Sequence, residues 1–148
     1  MFGFSRAVEY ALIALINVAK KGRGAPVSVA SIADAEGLPR DYLSKIMPTL
    51  LHQGIVRSVR GIGGGFILAQ DPSEISVLEV VRSVDGAVEV AKCLGTEECC
   101  ALHHRCGLVP LVSIVQIELS KVLERITLAD AMKWGEQRVG VSSGGWRG

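Results

Sequence analysis

The stretch SVASIADAEGLPRDYLSKIMPTLLHQGIVRSVRGIGGGFILA, residues 28–69, decides the fold. Its first residue, Ser28, suits the N-cap of a short helix over Val29–Glu36, with Ile32 and Ala33 turned inward. Gly37 stands where a helix ends on a left-handed residue. Pro39 then starts a second helix, at a position where its missing N–H costs nothing. Leu43, Ile46, Met47, Leu50 and Leu51 give that helix a core face until Gly54. Pro48 falls inside the pattern and predicts a kink or an irregular turn. Beyond Gly54 the period changes. Ile55–Val59 and Phe66–Ala69 read as short strands joined by the glycine-rich Arg60–Gly65. Two short helices followed by a hairpin predict a winged helix-turn-helix.

Upstream, Arg6–Lys20 carries Val8, Leu12, Leu15, Ile16 and Ala19 at helical spacing, and Gly22–Pro26 ends it. Downstream, Ser76-Val77-Leu78-Glu79 matches a capping box, with Leu78, Val81 and Val84 on one side of the helix it opens. The segment from Cys93 to Cys106 is too rich in Gly, Glu and Cys for regular structure. Leu108–Ile126 is the longest apolar helix signal. Its stripe is wider than one small domain needs, which predicts pairing with a second copy in a homodimer. Thr127 with Asp130 caps a further helical turn or two, and Val139–Gly148 is rich in Gly and Ser. The fold class predicted is mainly α with a small β-hairpin wing. Residues 1–75 form the winged helix-turn-helix with its N-terminal helix, 76–135 the cysteine loop and dimerisation helix, and 136–148 a disordered tail.

A chain of 148 residues has room for one full domain, or a compact domain with an oligomerisation arm. Hydrophobic residues make up 49% and charged residues 21%, which allows a sizeable core and excludes global disorder. The net charge is only +1, but it is unevenly spread. Residues 1–70 hold eight Lys/Arg against four acids, giving +4, and residues 71–148 hold eight against eleven, giving −3. A polyanion partner is therefore expected for the first half alone. The longest apolar stretch, Ala11–Ala19, is too short to span a membrane. The expected setting is the cytoplasm, without membrane attachment, where thiols stay reduced.

A helix-turn-helix projects its second helix into a DNA major groove, while the wing reaches the flanking backbone or minor groove. The DNA-facing set predicted is Ser28, Pro39, Arg40, Asp41, Tyr42, Ser44 and Lys45 on the two helices, with Arg57, Arg60, Gly61, Gly63 and Gly64 in the wing. Arg40 suits guanine O6 and N7, and Tyr42, Ser44 and Lys45 suit phosphates. Arg57 and Arg60 supply charge, and the glycines let backbone N–H groups approach phosphate closely. A protein–protein winged helix with a solvated charged face is the plainer alternative. The glycine run lacks the Lys-Ser/Thr of a Walker loop and joins two strands, so it is no nucleotide cradle.

All four cysteines, Cys93, Cys99, Cys100 and Cys106, fall within 14 residues. Clustered thiolates in a reducing compartment point to metal or redox chemistry, and they are soft ligands for an iron–sulfur cluster or zinc. Structural zinc sites more often use closer cysteine pairs than these five-residue gaps provide. Zinc with His103 or His104, or a thiol/disulfide switch at Cys99 or Cys100, stays open. A cysteine nucleophile with a histidine base lacks any accompanying third member or oxyanion hole, so no enzyme is expected.

Ser5-Arg6-Ala7-Val8-Glu9-Tyr10-Ala11-Leu12, Asp41-Tyr42-Leu43 and the wing from Ser58 to Phe66, together with the cysteine loop, resemble the bacterial winged-helix iron–sulfur regulators of the IscR, NsrR and RirA type. The resemblance covers about residues 1–135. It implies a homodimeric transcription factor, a repressor, in which the long helix crosses its mate. An iron–sulfur cluster, 2Fe–2S or 4Fe–4S, would set its affinity for a double-stranded DNA operator in response to redox state, nitric oxide or iron. Carried over, Cys93, Cys99 and Cys106 match the three cluster thiolates, with Cys100 able to replace its neighbour. IscR-like proteins place a His three positions after the last cysteine, where this chain has Val109. The NsrR-like and RirA-like pattern takes an acid from the partner's first helix or an exogenous group. Glu9 is the matching candidate, beside Cys100, His103 and His104.

Overall fold

The computed structural model describes residues 3–91, 94 and 105–137. In α1 (Arg6–Lys20) the Ser5 hydroxyl accepts from the Val8 N–H at 3.2 Å, and Val8, Ala11, Ala14, Leu15 and Val18 face inward. In α2 (Val29–Glu36) Ser28 accepts from Ser31 N–H at 3.1 Å, and Gly37 closes the helix at φ 66°. Both ends are set by the residues that predicted them.

The next helix, α3 (Arg40–His52), begins one residue later than the sequence suggested, with Pro39 as its N-cap. It continues through Pro48. Pro48 and Ser44, whose carbonyl the proline leaves without an intrahelical donor, are both exposed, so water can serve that carbonyl. The wing follows as β1 (Val56–Val59) and β2 (Gly65–Leu68), antiparallel, with Val56 opposite Leu68 and Val59 opposite Gly65. Val27 adds an isolated bridge to Phe66 through two backbone hydrogen bonds of 2.9 Å. The tip-side end of β2 is thereby tied to the residue preceding the α2 cap.

Ser76 accepts from Glu79 N–H at 3.1 Å to open α4 (Val77–Asp85). Beyond the cysteine segment lie α5 (Leu108–Arg125) and α6 (Leu128–Glu136). A complete capping box starts α6: Thr127 Oγ1 accepts from Asp130 N–H, and the Asp130 carboxylate accepts from Thr127 N–H at 3.0 Å. Nine residues make this helix longer than the turn or two foreseen. It covers the first residue assigned to the tail, Glu136; residues 138–148 lie outside the described part.

Leu15, Ile32, Leu43, Met47, Leu50, Ile55 and Val56 form the centre of the main core, and Ile75, Val80 of α4 and Leu128 of α6 join them. A second cluster unites Val8, Val77, Leu78, Val81 and Leu123, which seats α5 on α4. The long helix departs from the usual rule. Among its residues only Leu123 is buried, while Leu108, Leu111, Ile114, Val115, Ile117 and Val122 are each at least 40% exposed.

Candidate functional site

The predicted DNA-facing residues are, with one exception, exposed. Ser28, Pro39, Arg40, Asp41, Tyr42, Ser44, Lys45, Arg57, Arg60, Gly61 and Gly63 are all exposed, and Gly64 is half-buried. Arg40 is nevertheless not a free finger. Its Nη2 donates to both carboxylate oxygens of Asp34, at 2.7 and 2.8 Å, across the turn between α2 and α3. That hydrogen bond, and then the carboxylate charge, hold the guanidinium more firmly protonated than usual. Both forked approaches of a guanidinium use this nitrogen, so a two-pronged contact with guanine competes with Asp34 for Nη2.

Tyr42 is also engaged. Its ring meets Tyr10 of α1 edge-on, with centroids 5.3 Å apart at 84°, and Arg6 lies over the Tyr10 ring at 5.9 Å. α3 is thus braced against α1 by an aromatic pair. Lys45, Arg57 and Arg60 form no ion pair among the described residues, which leaves their charge available to phosphate.

The wing's end is built almost without side chains. Gly64 N–H donates to Gly61 O at 3.0 Å, closing a turn with Ile62 and Gly63 at its centre. Gly63 has φ 74°, the left-handed value that the third residue of a type II turn needs. A Cβ at Gly64 would lie 2.3 Å from Val59 O, and one at Gly65 2.4 Å from the Val27 backbone. Close winding of the tip and the close approach of the start of β2 to Val27 both require glycine.

Of the candidate metal ligands, Cys106 and Glu9 are described, whereas Cys93, Cys99, Cys100, His103 and His104 lie outside the described residues. Cys106 is a free, half-buried thiol just ahead of α5. Glu9 is exposed on α1 and pairs with Arg6 at 3.3 Å. Among the described residues no group of three or more His, Cys, Asp and Glu side chains converges on a metal position. The donor chemistry still fits an iron–sulfur cluster, because four soft thiols share one short segment and the described one is uncommitted.

Three contributors escaped the sequence reading. Asp34 had a faint signal, an acid and a base placed either side of the turn. Tyr10 had another, an aromatic ring four residues after Arg6 on a helix. Gln116 interrupts an apolar run for a reason: its amide donates to Val88 O and accepts from Val90 N–H at 2.8 Å. It fastens the segment leading into the cysteine loop to the side of α5. Gln116 lies eight residues along α5 from Leu108, so the loop's two ends are anchored about 12 Å apart on one helix.

A profile of the Rrf2 family, described as an iron-dependent transcriptional regulator, matches residues 4–133. The chain is 37% identical over 122 residues to the HTH-type transcriptional regulator IscR of Serratia proteamaculans, covering 82% of this chain and 74% of that protein. The regulator of the same name from Yersinia enterocolitica is 36% identical over an equal span, with the same shares covered. Among solved structures, T. potens IscR matches with TM-score 0.72 and 30% identity, covering 93% of this chain and 91% of that one. CymR, the global cysteine regulator of B. subtilis, matches with TM-score 0.74 and 27% identity, covering 90% and 98%. These relatives are named as regulators, in keeping with a chain that regulates rather than catalyses. With the helix-turn-helix, the wing and the long helix all observed, and the profile spanning nearly all of them, the chain belongs to the Rrf2 family of transcriptional regulators.

Proposed function

We propose that this transcriptional regulator is a cytoplasmic homodimer and a repressor, whose affinity for a double-stranded operator is controlled by an iron–sulfur cluster. Residues 1–75 read DNA: α3 enters the major groove with Arg40 aimed at guanine, and Lys45, Arg57, Arg60 and the wing glycines take phosphates. Residues 76–135 carry the cluster loop and the pairing helix. Cys93, Cys99 and Cys106 hold the cluster, Cys100 stands in reserve, and Glu9 of the first helix supplies the remaining ligand. When bound, the cluster supplies iron and sulfide that oxygen, nitric oxide or iron scarcity can alter or remove.

The observation that carries the reading is that α5 receives the chain on both sides of the cysteines: Gln116 holds Val88 and Val90 ahead of them, and Cys106 leads directly into its first turn. Thiolates fixed within that segment limit how it lies against the helix, and α4 and α1 transmit the constraint towards α3. Glu9 is free to serve because its exposed pair with Arg6 is worth little. Its departure would also release Arg6 from one of its two contacts, the other being the Tyr10 ring that backs Tyr42.

The test is anaerobic purification followed by ultraviolet–visible and Mössbauer spectra, iron and sulfide analysis, and DNA binding before and after oxidant. Iron with sulfide, and a binding response lost in the combined Cys93→Ala, Cys99→Ala, Cys106→Ala variant, are expected. Zinc at one per chain without sulfide would transfer the site to structural metal. An unchanged oxidant response in the triple variant would remove the cysteines from regulation.

A further inference from the structure

We propose that Ile62 is an apolar minor-groove probe, by which the wing senses the deformability of a base step beside the operator. The proposal rests on the DNA-reading assignment of the wing and adds to it a residue that selects sequence without hydrogen bonds. Ile62 is the most exposed large hydrophobic residue described, at 110% of its reference area. Its exposure is imposed by the backbone. Ile62 occupies the second position of the turn closed by Gly64 N–H and Gly61 O, the outermost point of the hairpin.

Gly61, Gly63 and Gly64 leave Ile62 as the single side chain with any bulk at that tip. A hairpin end thinned in this way suits a minor groove only about 6 Å wide. Arg57 and Arg60, exposed and without ion pairs among the described residues, draw the tip to the phosphates that border the groove. The tip has a second fixed reference: the Val27–Phe66 bridge ties the wing to the start of α2, so its reach is set relative to α3. A turn position that accepts most residues needs no isoleucine for its own geometry. An apolar side chain carried into the groove gains by leaving water against deoxyribose, and by partly wedging a step that unstacks easily, such as TA or CA.

The full-length chain first selects its own duplex from a random-sequence pool, and hydroxyl-radical footprinting locates the wing. Affinity and salt slope are then measured on the selected duplex and on one with G·C-only steps beneath the wing, for the unaltered chain, Ile62→Ser and Ile62→Leu. The unaltered chain should lose roughly ten-fold on the G·C flank, the scale set by burying one aliphatic side chain. Ile62→Ser should bind both duplexes at the weaker level with an unchanged salt slope, and Ile62→Leu should keep the discrimination. Undiminished discrimination by Ile62→Ser would overturn the proposal. So would a loss equal on both duplexes with a shallower slope, which is a phosphate effect. Failure of the unaltered chain to select any duplex would instead strike the DNA-reading assignment, before any variant is made.

Discussion

Asp34 and Arg40 oppose one another on the surface proposed to meet DNA. Their pair is exposed, so it adds little to stability, but it holds Arg40 Nη2 away from any base or phosphate. Asp34→Asn should therefore leave the melting temperature within error while strengthening DNA binding. With Arg40 aimed at guanine, the gain should depend on one guanine in each half-site and disappear when that base is replaced, while the salt slope changes little. A gain equal on every sequence would mean that the freed Arg40 reads no base. Two other carboxylates matter for acid stability. Asp71 is held below the usual range first by the Ser73 N–H and then by its hydroxyl, with Arg23 adding to them; Asp130 is held down by the Thr127 N–H and hydroxyl. A carboxylate depressed on folding stabilises the native state fully above its unfolded value, and that contribution fades as pH falls through the folded one. Denaturant midpoints should thus be flat above about pH 5 and fall below about pH 4. In Asp130→Asn the fall should be shallower, and a fall as steep as in the unaltered chain would assign the acid limb to other groups.

At the scale of the element, helix ends and the join between β2 and Val27 are the vulnerable points. Thr127→Ala removes one half of the α6 capping box and should cost about 1 kcal/mol in urea unfolding. Gly65→Ala should do more specific harm. Its new Cβ would meet the carbonyl of Val27, and backbone cannot swing away as a side chain can. The wing should detach from the start of α2, leaving the helices intact by circular dichroism but weakening DNA binding. The caps at Ser28, Gly37 and Thr127 were legible in the sequence because capping acts over three or four residues. That α3 runs unbroken across Pro48, where a kink or an irregular turn was expected, was hidden because periodicity does not reveal that the orphaned carbonyl faces water. The DNA-facing set could be read as exposed and basic, yet the Asp34–Arg40 and Tyr10–Tyr42 contacts could not. Those pairings depend on how α1, α2 and α3 come together, and no local pattern encodes them.

For the whole molecule, the decisive imbalance lies on α5. A helix that buries Leu123 alone while exposing Leu108, Leu111, Ile114, Val115, Ile117 and Val122 suits the pairing role proposed for it. Nothing in its charge pattern opposes self-association: Glu118 and Lys121 already neutralise each other at 2.8 Å. Two copies crossing at this stripe would remove apolar surface from both chains, and each aliphatic side chain fully covered contributes roughly 1.5–3 kcal/mol. Ile114 is the most exposed residue of the stripe's middle, at 61%, and faces away from the Leu123 contact with α4. Ile114→Glu should therefore yield a monomer in sedimentation velocity, with near-native helix content, because the main core does not use this residue. DNA affinity should fall further than one lost contact explains, since a dimer's two half-site contacts become one. If Glu9 ligates across the dimer, the same substitution should also weaken retention of iron and sulfide under anaerobic dialysis. A monomeric variant that keeps its full complement of both would place every ligand within a single chain.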